Sequence, residues 1–506
     1  MPDSIRRGGS RSILIADGMR AAAFRTPEKI AIREGERSLR FRQLAERIDR
    51  VSNLAHGLGL RQGDFAAIQC RNRIEYLELV AGLSSMGVAC ATIGPAAPAP
   101  EVQFICDNSG ARVLFVDRSL AEQARDCAPA SVERIIVMEE HYESLLAEAS
   151  SSRPDVDVSE HEIFSVPYTS GVTGRPKGVM LAHRGRVLAC YAMAAEHGCY
   201  GPDDRAVATT PMFHGAGFLM ALAPVFFGGS VVLLPRFDIN ALLEAIETSQ
   251  ATSAYMVPTH FAALFADNGS KRHDLKSLKA VISGTAPLAQ SMKAKIIEHF
   301  GEGKLYERYG TTETNIACAL RPADQLRKIA CVGQPLPATH LRLLDEDGNE
   351  CAPGEIGELA VASPYLFSGY LNLPEATAKS MRGDWFVTGD LARIDDEGYV
   401  YLVDRKNDMI ITGGENVYPR EVEEILLEQP AIAECAVAGL AHPYWGEQVT
   451  AWVVLRGNAQ LSADDITALC RARLSAYKVP KEIRFVDALP RNSIGKILRR
   501  ALANKL

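Results

Sequence analysis

The segment from Tyr168 to Val179, TyrThrSerGlyValThrGlyArgProLysGlyVal, gathers glycines, hydroxyl side chains and a lysine directly after a short apolar run. Glycine lets backbone amides approach a ligand closely, and successive N–H groups in such a loop make a concavity suited to a phosphate chain. The spacing is not that of a P-loop NTPase, because Gly171, Gly174 and Lys177 are offset differently and no Ser or Thr follows the lysine. On composition alone a flexible surface loop is an equally good reading. Further along stand Glu313 after TyrGlyThrThr, Asp390 in ThrGlyAsp, Lys496 in a Gly-containing loop, and His214 in a PheHisGlyAlaGly turn. Each has a bland alternative: a solvated charge, a surface Asp–Arg pair worth little, or a hydrogen-bonded structural histidine.

Positioning such residues takes elements, and their periodicity is readable. From Phe164 to Tyr306 short apolar runs (Val207–Thr209, Val231–Leu234, Ala254–Val257, Ala280–Ser283) alternate with helical patterns (Asp238–Thr248, Leu288–Phe300), as in a largely parallel α/β sheet. Asp238 is placed to cap its helix, and the Val231–Leu234 run suits a sheet covered on both faces. Phe41–Leu58 and Ile74–Met86 read as helices flanking a strand at Phe65–Gln69, and Ala96–Pro100 as a turn. Beyond Leu341 short strands turn on acidic-Gly corners. After Asp404 the charged ArgLysAsnAsp precedes strand 409–412, helix 419–428, strands 435–439 and 449–455, and helix 463–474. The expected fold is α/β: a large N-terminal domain, 1–404, of layered α/β sheets plus a β-rich portion, and a small C-terminal α+β domain, 405–506.

A chain of 506 residues exceeds one ordinary domain, and 47% hydrophobic with 23% charged residues excludes disordered or fibrous classes. Lys and Arg number 55 against 62 Asp and Glu, so no global basic field for nucleic acid exists. The 11 cysteines are odd in number and never spaced C-x-x-C, which excludes an obvious disulfide framework or zinc site and fits a reducing cytoplasm. The apolar run Phe218–Phe227 is far short of the roughly 20 residues of a membrane span, so neither a span nor a signal peptide is expected.

The loop at 168–179 resembles the phosphate-binding signature of the AMP-forming adenylating superfamily, and four more motifs follow in family order. These are ProMetPheHis (211–214), TyrGlyThrThrGlu (309–313), ThrGlyAsp (388–390) with AspArgLysAsnAsp (404–408), and ProArgAsnSerIleGlyLys (490–496). The resemblance implies that Thr169, Ser170, Gly171, Thr173, Gly174 and Lys177 handle the ATP phosphates, with Val172 where a hydroxyl residue is usual. It implies Glu313 as the Mg²⁺ ligand, Tyr309 on the adenine against a wall containing Gly284 and Thr285, and Thr312 beside the nucleotide. Asp390 and Arg405 would hold the ribose, and Asn407 would stand at the hinge of a mobile C-terminal domain. Lys496 would bind the carboxylate and α-phosphate oxygens, His214 would border the acyl pocket and pantetheine tunnel, and Trp445 would stack on CoA.

The implied function is an AMP-forming acid:CoA ligase. A carboxylate attacks the α-phosphate of ATP, pyrophosphate leaves, and the CoA thiol then displaces AMP; the partners are the acid, ATP and CoA. Rivals are an enzyme loading a separate carrier protein, and a nucleotide-responsive binder without turnover. ArgTyrGly (308–310) resembles malonyl-CoA synthetases, whereas ProThrHis (258–260) and the ending LysIleLeuArgArgAlaLeu (496–502) resemble aryl-CoA ligases. A buried Arg308 facing an apolar acid would be costly, so it is expected to pair with Glu307 or another acid, or to point away from the pocket. On that ground a monocarboxylic aryl or short-to-medium acyl substrate is preferred to a dicarboxylate, with Gly215, Ala216 and Gly217 leaving room beside His214. Oligomeric state is left open.

Overall fold

A computed structural model of the chain describes residues 12–170, 176–266, 273–406, 408–457, 459–491, 497–499 and 501–502. It separates into two compact units: Met1–Arg327 with Pro335–His340 and Ala362–Phe386, and Lys328–Gln334 with Leu341–Val361 and Val387–Leu506.

The first unit is built on two sheets. One runs Cys318–Leu320, Leu305–Tyr309, Ala280–Ser283, Ser253–Met256, Arg205–Ala208, Ser230–Leu233, Ile30–Glu34, Arg37–Arg40, parallel throughout except at its two ends. The other places Arg134–Val137, Val113–Val116, Phe65–Gln69, Ala89–Ile93 and Ile163–Ser170 in parallel, and Pro176–Gly178 returns antiparallel on the last. Val113–Val116 and Ala89–Ile93 are buried along their whole length, as strands covered on both faces must be. The helix Phe41–Gly57 buries Phe41, Leu44, Ile48 and Val51 along one stripe, and Ile239–Ser249 buries Leu242, Leu243 and Ile246. Asp238 caps the latter by accepting from the Ala241 amide at 2.9 Å.

One local expectation fails and a second holds only in part. Ala99 and Pro100 belong to a helix, Ala99–Ser109, rather than to a turn: proline's fixed φ and missing N–H cost nothing in a first helical turn. The PheHisGlyAlaGly segment is a turn only in its first part: the His214 amide closes one on the Pro211 carbonyl at 3.3 Å, and Gly215 then opens a twelve-residue helix, Gly215–Phe226.

The second unit carries the antiparallel pair Trp385–Ile394 and Val400–Arg405, joined by the expected acidic-Gly corner. A further sheet orders Glu415–Val417, Ile410–Thr412, Gly446–Leu455 and Ile432–His442, with Glu482–Phe485 parallel to Gly446–Leu455. Helices Pro419–Leu427 and Ala463–Arg471 cover it through Val422, Leu426 and Ile466. Its two long strands outrun the spans read from sequence because Glu434, His442, Glu447 and Gln448 interrupt the apolar run at their ends.

Candidate active site

In the first unit the chemistry-bearing residues sit where parallel sheets place ligands, just past the carboxyl ends of strands. Thr169 and Ser170 end the strand Ile163–Ser170, and Thr169 lies opposite Lys177 on the returning strand. Gly171, Thr173, Gly174 and Val172 between them lie outside the described residues. Gly284 and Thr285 follow Ala280–Ser283, whose parallel neighbour Leu305–Tyr309 delivers Tyr309, Thr312 and Glu313. Thr285 holds a left-handed backbone, φ 70°, which a β-branched residue adopts only at a cost of about 1–3 kcal/mol. Its hydroxyl donates to the Gly284 carbonyl at 2.6 Å.

Glu313 is held from two directions. Its backbone carbonyl accepts from the Phe367 amide at 2.8 Å, and its Oε1 accepts from the Tyr370 hydroxyl at 2.8 Å. The Tyr370 ring faces Lys177, whose Nζ is 4.9 Å from the ring centroid, and Tyr370 bridges to Val179. Burial, followed by the adjacent Glu313 charge, pushes the Tyr370 phenol well up, so it remains a donor. One tyrosine thus ties the lysine strand to the carboxylate. Sequence reasoning missed it: PheSerGlyTyrLeu (367–371) resembles an ordinary turn, and its partners lie more than fifty positions away.

His214 is half-buried with its ring 3.9 Å from that of Phe213, and its buried Nε2 has no hydrogen-bond partner among the described residues. Burial drives its pKa down to about 4, so the imidazole is neutral at pH 7. Of the small residues that follow, Gly217 leaves no room beside it, while Gly215 lines a small cavity together with His214. A Cβ on Gly217 would lie 2.1 Å from the Pro211 carbonyl oxygen, and one on Gly215 would lie 3.4 Å from Arg186 Nη2 and 3.7 Å from Thr312 Cγ2. The smallness of Gly217 lets the first helical turn pack on the backbone of Thr210 and Pro211, whereas Gly215 faces side chains.

Of the outcomes expected for Arg308, pairing with Glu307 is not seen among the described residues. Successive strand residues face opposite ways, and Glu307 is ion-paired to the buried Lys293. Arg308 lies over the Tyr255 ring, 5.4 Å from its centroid, and its Nη1 is buried without a partner among the described residues.

In the second unit Asp390 and Arg405 face each other across the strand pair, Arg405 Nε to Asp390 Oδ1 at 2.8 Å. Asp390 is 5% exposed, and its amide is fixed by Thr388 Oγ1 at 3.1 Å. Trp445 is partly exposed, packs on Gly413, and has Lys481 Nζ 5.8 Å from its ring. Asn407 and Lys496 lie outside the described residues.

Residues 19–371 match the family described as AMP-binding enzyme, and 421–496 match the AMP-binding enzyme C-terminal domain. Feruloyl-CoA synthase of an Amycolatopsis species is 35% identical, over 94% of this chain and 95% of that protein. The 2-succinylbenzoate–CoA ligase of Geobacillus kaustophilus is 34% identical over 96% of each. Among solved structures, o-succinylbenzoate CoA synthetase from Bacillus subtilis, in complex with its acyl-adenylate intermediate, aligns with a TM-score of 0.86 at 30% identity, covering 96% of this chain and 97% of that one. The chain belongs to the AMP-binding enzyme family. Within it, the chain is an acid–thiol ligase, an AMP-forming acyl-CoA synthetase. No helix among the described residues is long and apolar enough to cross a membrane.

Proposed function

We propose that the enzyme activates an aryl or short-to-medium-chain acyl carboxylate with Mg²⁺ and ATP, and passes the acyl group to the thiol of free CoA. The observation that carries this reading is the Lys177–Tyr370–Glu313 cluster at the strand ends. The donor set fits magnesium. Among the described residues no three His, Cys, Asp or Glu side chains converge, and Mg²⁺ typically takes one or two carboxylates and completes its shell with water and substrate phosphates. Glu313 gives one oxygen to Tyr370 and keeps the other for the ion. Bound there, Mg²⁺ would supply neutralisation of phosphate charge.

The chain's own groups do the rest by position and charge, because both nucleophiles, carboxylate and thiol, come from substrates. Thr169, Ser170, Gly171, Thr173, Gly174 and Lys177 take the phosphates; Tyr309, Gly284, Thr285 and Thr312 take the adenine side; Asp390 and Arg405 take the ribose. A carboxylate presents two acceptor oxygens to a vicinal diol, which is why Asp390 suits that role. Lys496, from the small domain 405–506, neutralises charge as the adenylate forms. Neutral His214 borders the acid and the pantetheine path, and Trp445 meets CoA. The cysteines that fall in the described residues are all free, which supports a cytoplasmic location.

Exchange of pyrophosphate into ATP, followed by CoA-dependent AMP release across a panel of carboxylic acids, tests the reading. Acid-dependent exchange with no response to CoA would move the acceptor to a carrier's pantetheine arm. No exchange with any acid would overturn the reading.

A further inference from the structure

Asn72 stands in the corner between the strand Phe65–Gln69 and the helix Ile74–Ser84, and it is 4% exposed. A side-chain amide carries two N–H donors and an acceptor oxygen, and here the first-described sheet engages all three. Nδ2 donates to the Thr210 carbonyl at 3.1 Å and to the Leu234 carbonyl at 3.2 Å, and Oδ1 accepts from the Met212 amide at 2.8 Å. Thr210 and Leu234 lie just past the ends of neighbouring parallel strands, Arg205–Ala208 and Ser230–Leu233. The buried Thr92 hydroxyl, on Ala89–Ile93, donates to the Phe213 carbonyl at 2.8 Å. Two side chains of one sheet therefore hold the backbone of 210–213, which leads directly into His214.

The corner that presents Asn72 is itself braced on both sides. The Arg71 amide donates to Asp117 Oδ2 at 2.9 Å. Arg73 Nη1 donates to Asp117 Oδ1 at 2.6 Å and to Glu139 Oε1 at 2.7 Å, and its Nε to Glu75 Oε2 at 2.7 Å. Arg73, Glu75 and Asp117 are buried. A buried ion network adds little net stability over apolar packing of the same volume. What this one supplies is a fixed place for the residue it flanks.

His214 depends on such support. Its Nε2 has no hydrogen-bond partner among the described residues and its ring rests on that of Phe213, so the imidazole is located through its backbone. Thr92, Met212, Phe213 and His214 line one small cavity, and any displacement of 210–213 passes straight into that wall.

We propose that Asn72, with Thr92, is a positioning residue for the acid substrate: it fixes the 210–213 backbone and, through it, the place of His214 beside the acid. This rests on the ligase reading above, in which His214 borders the acid. The hydrogen bonds of Asn72 reach none of the segments assigned to the nucleotide, so its loss should fall on the acid and not on ATP.

The test measures pyrophosphate exchange, with the best acid of the panel and ATP varied in turn, in Asn72→Asp, Thr92→Val and His214→Ala enzymes. Asn72→Asp keeps an acceptor for the Met212 amide and sets an oxygen against two carbonyls; Thr92→Val removes one hydroxyl at nearly constant shape. Asn72→Asp should lower kcat/KM for the acid by roughly 10- to 100-fold, and Thr92→Val by a smaller factor, with KM for ATP within about twofold of wild type. In a His214→Ala background each should add less than about twofold, because effects exerted through one group do not add. A merely structural Asn72 would lower the melting temperature, affect acid and ATP alike and combine additively with His214→Ala, and that pattern overturns the proposal. So does a His214→Ala enzyme that matches wild type with every acid. Should Asn72→Asp fail to fold, the Thr92→Val cycle decides by the same criteria. Acid-dependent exchange in wild type leaves the ligase reading standing through all of these outcomes; exchange with no acid removes both.

Discussion

Asp390 and Arg405 meet across two strands with a 2.8 Å contact, and that geometry alone fits either a ribose clamp or a structural ion pair. The two readings part on removal. If Asp390 accepts from the ribose, Asp390→Ala should raise KM for ATP by roughly 10- to 150-fold, the worth of a charge-assisted hydrogen-bonded group, and leave KM for the acid little changed. Steady-state kinetics with each substrate varied decides it: a folded variant with unaltered ATP affinity means the pair only joins strands. At this scale the sequence was legible where a residue stood inside a motif, as Glu313 and Asp390 did. It was opaque where the deciding contact was tertiary. Tyr370 acquires meaning only from Glu313 and Lys177, and of the outcomes open for Arg308 the sequence could not discard pairing with Glu307, which fails because adjacency in sequence is opposition across a strand.

Elements were legible wherever local chemistry and periodicity agreed, as at Asp238 with its helix or along the fully buried strand Ser253–Met256, whereas Val231–Leu234, read as covered on both faces, alternates buried and half-buried residues. They were less so where a segment's role was to let backbone approach backbone. Glycines 215 and 217 open a helix whose first turn lies against Pro211, and nothing in PheHisGlyAlaGly separates that from a loop. Two substitutions probe this. Gly217→Ala places a Cβ 2.1 Å from a carbonyl oxygen, so backbone must move, and a loss of about 1–3 kcal/mol or more is expected in chemical denaturation. Gly57→Ala ends the helix Phe41–Gly57 with nothing within 4 Å of the new methyl and should be neutral or stabilising by up to about 1 kcal/mol. Equal effects from the two would show that the tight first turn is not what Gly217 supplies.

The whole molecule buries His183, His197 and His260 and half-buries His214, and loss of hydration lowers their pKa values, in that order, to about 3, 4, 4 and 4 from 6.5. Between those values and 6.5 the unfolded chain binds the additional protons, so stability present above pH 6.5 is lost as pH falls toward 4. Melting temperatures should therefore drop through that window. His260→Phe, which keeps the flat 3.8 Å stack on Phe237, should flatten the slope; an unchanged slope would acquit that histidine. Lys177 and Lys496 stand more than three hundred residues apart, and the two half-reactions give them different duties. Lys496→Ala should slow adenylate formation by roughly 10²- to 10³-fold, the usual effect of deleting one preorganised donor to developing charge. Once the adenylate exists that charge has been resolved, so thioester formation from supplied acyl-adenylate and CoA should be largely spared. Single-turnover measurement of each half-reaction separates the steps. Equal loss in both would mean that Lys496 acts through the fold or in both steps, and its assignment to adenylation alone would have to be withdrawn.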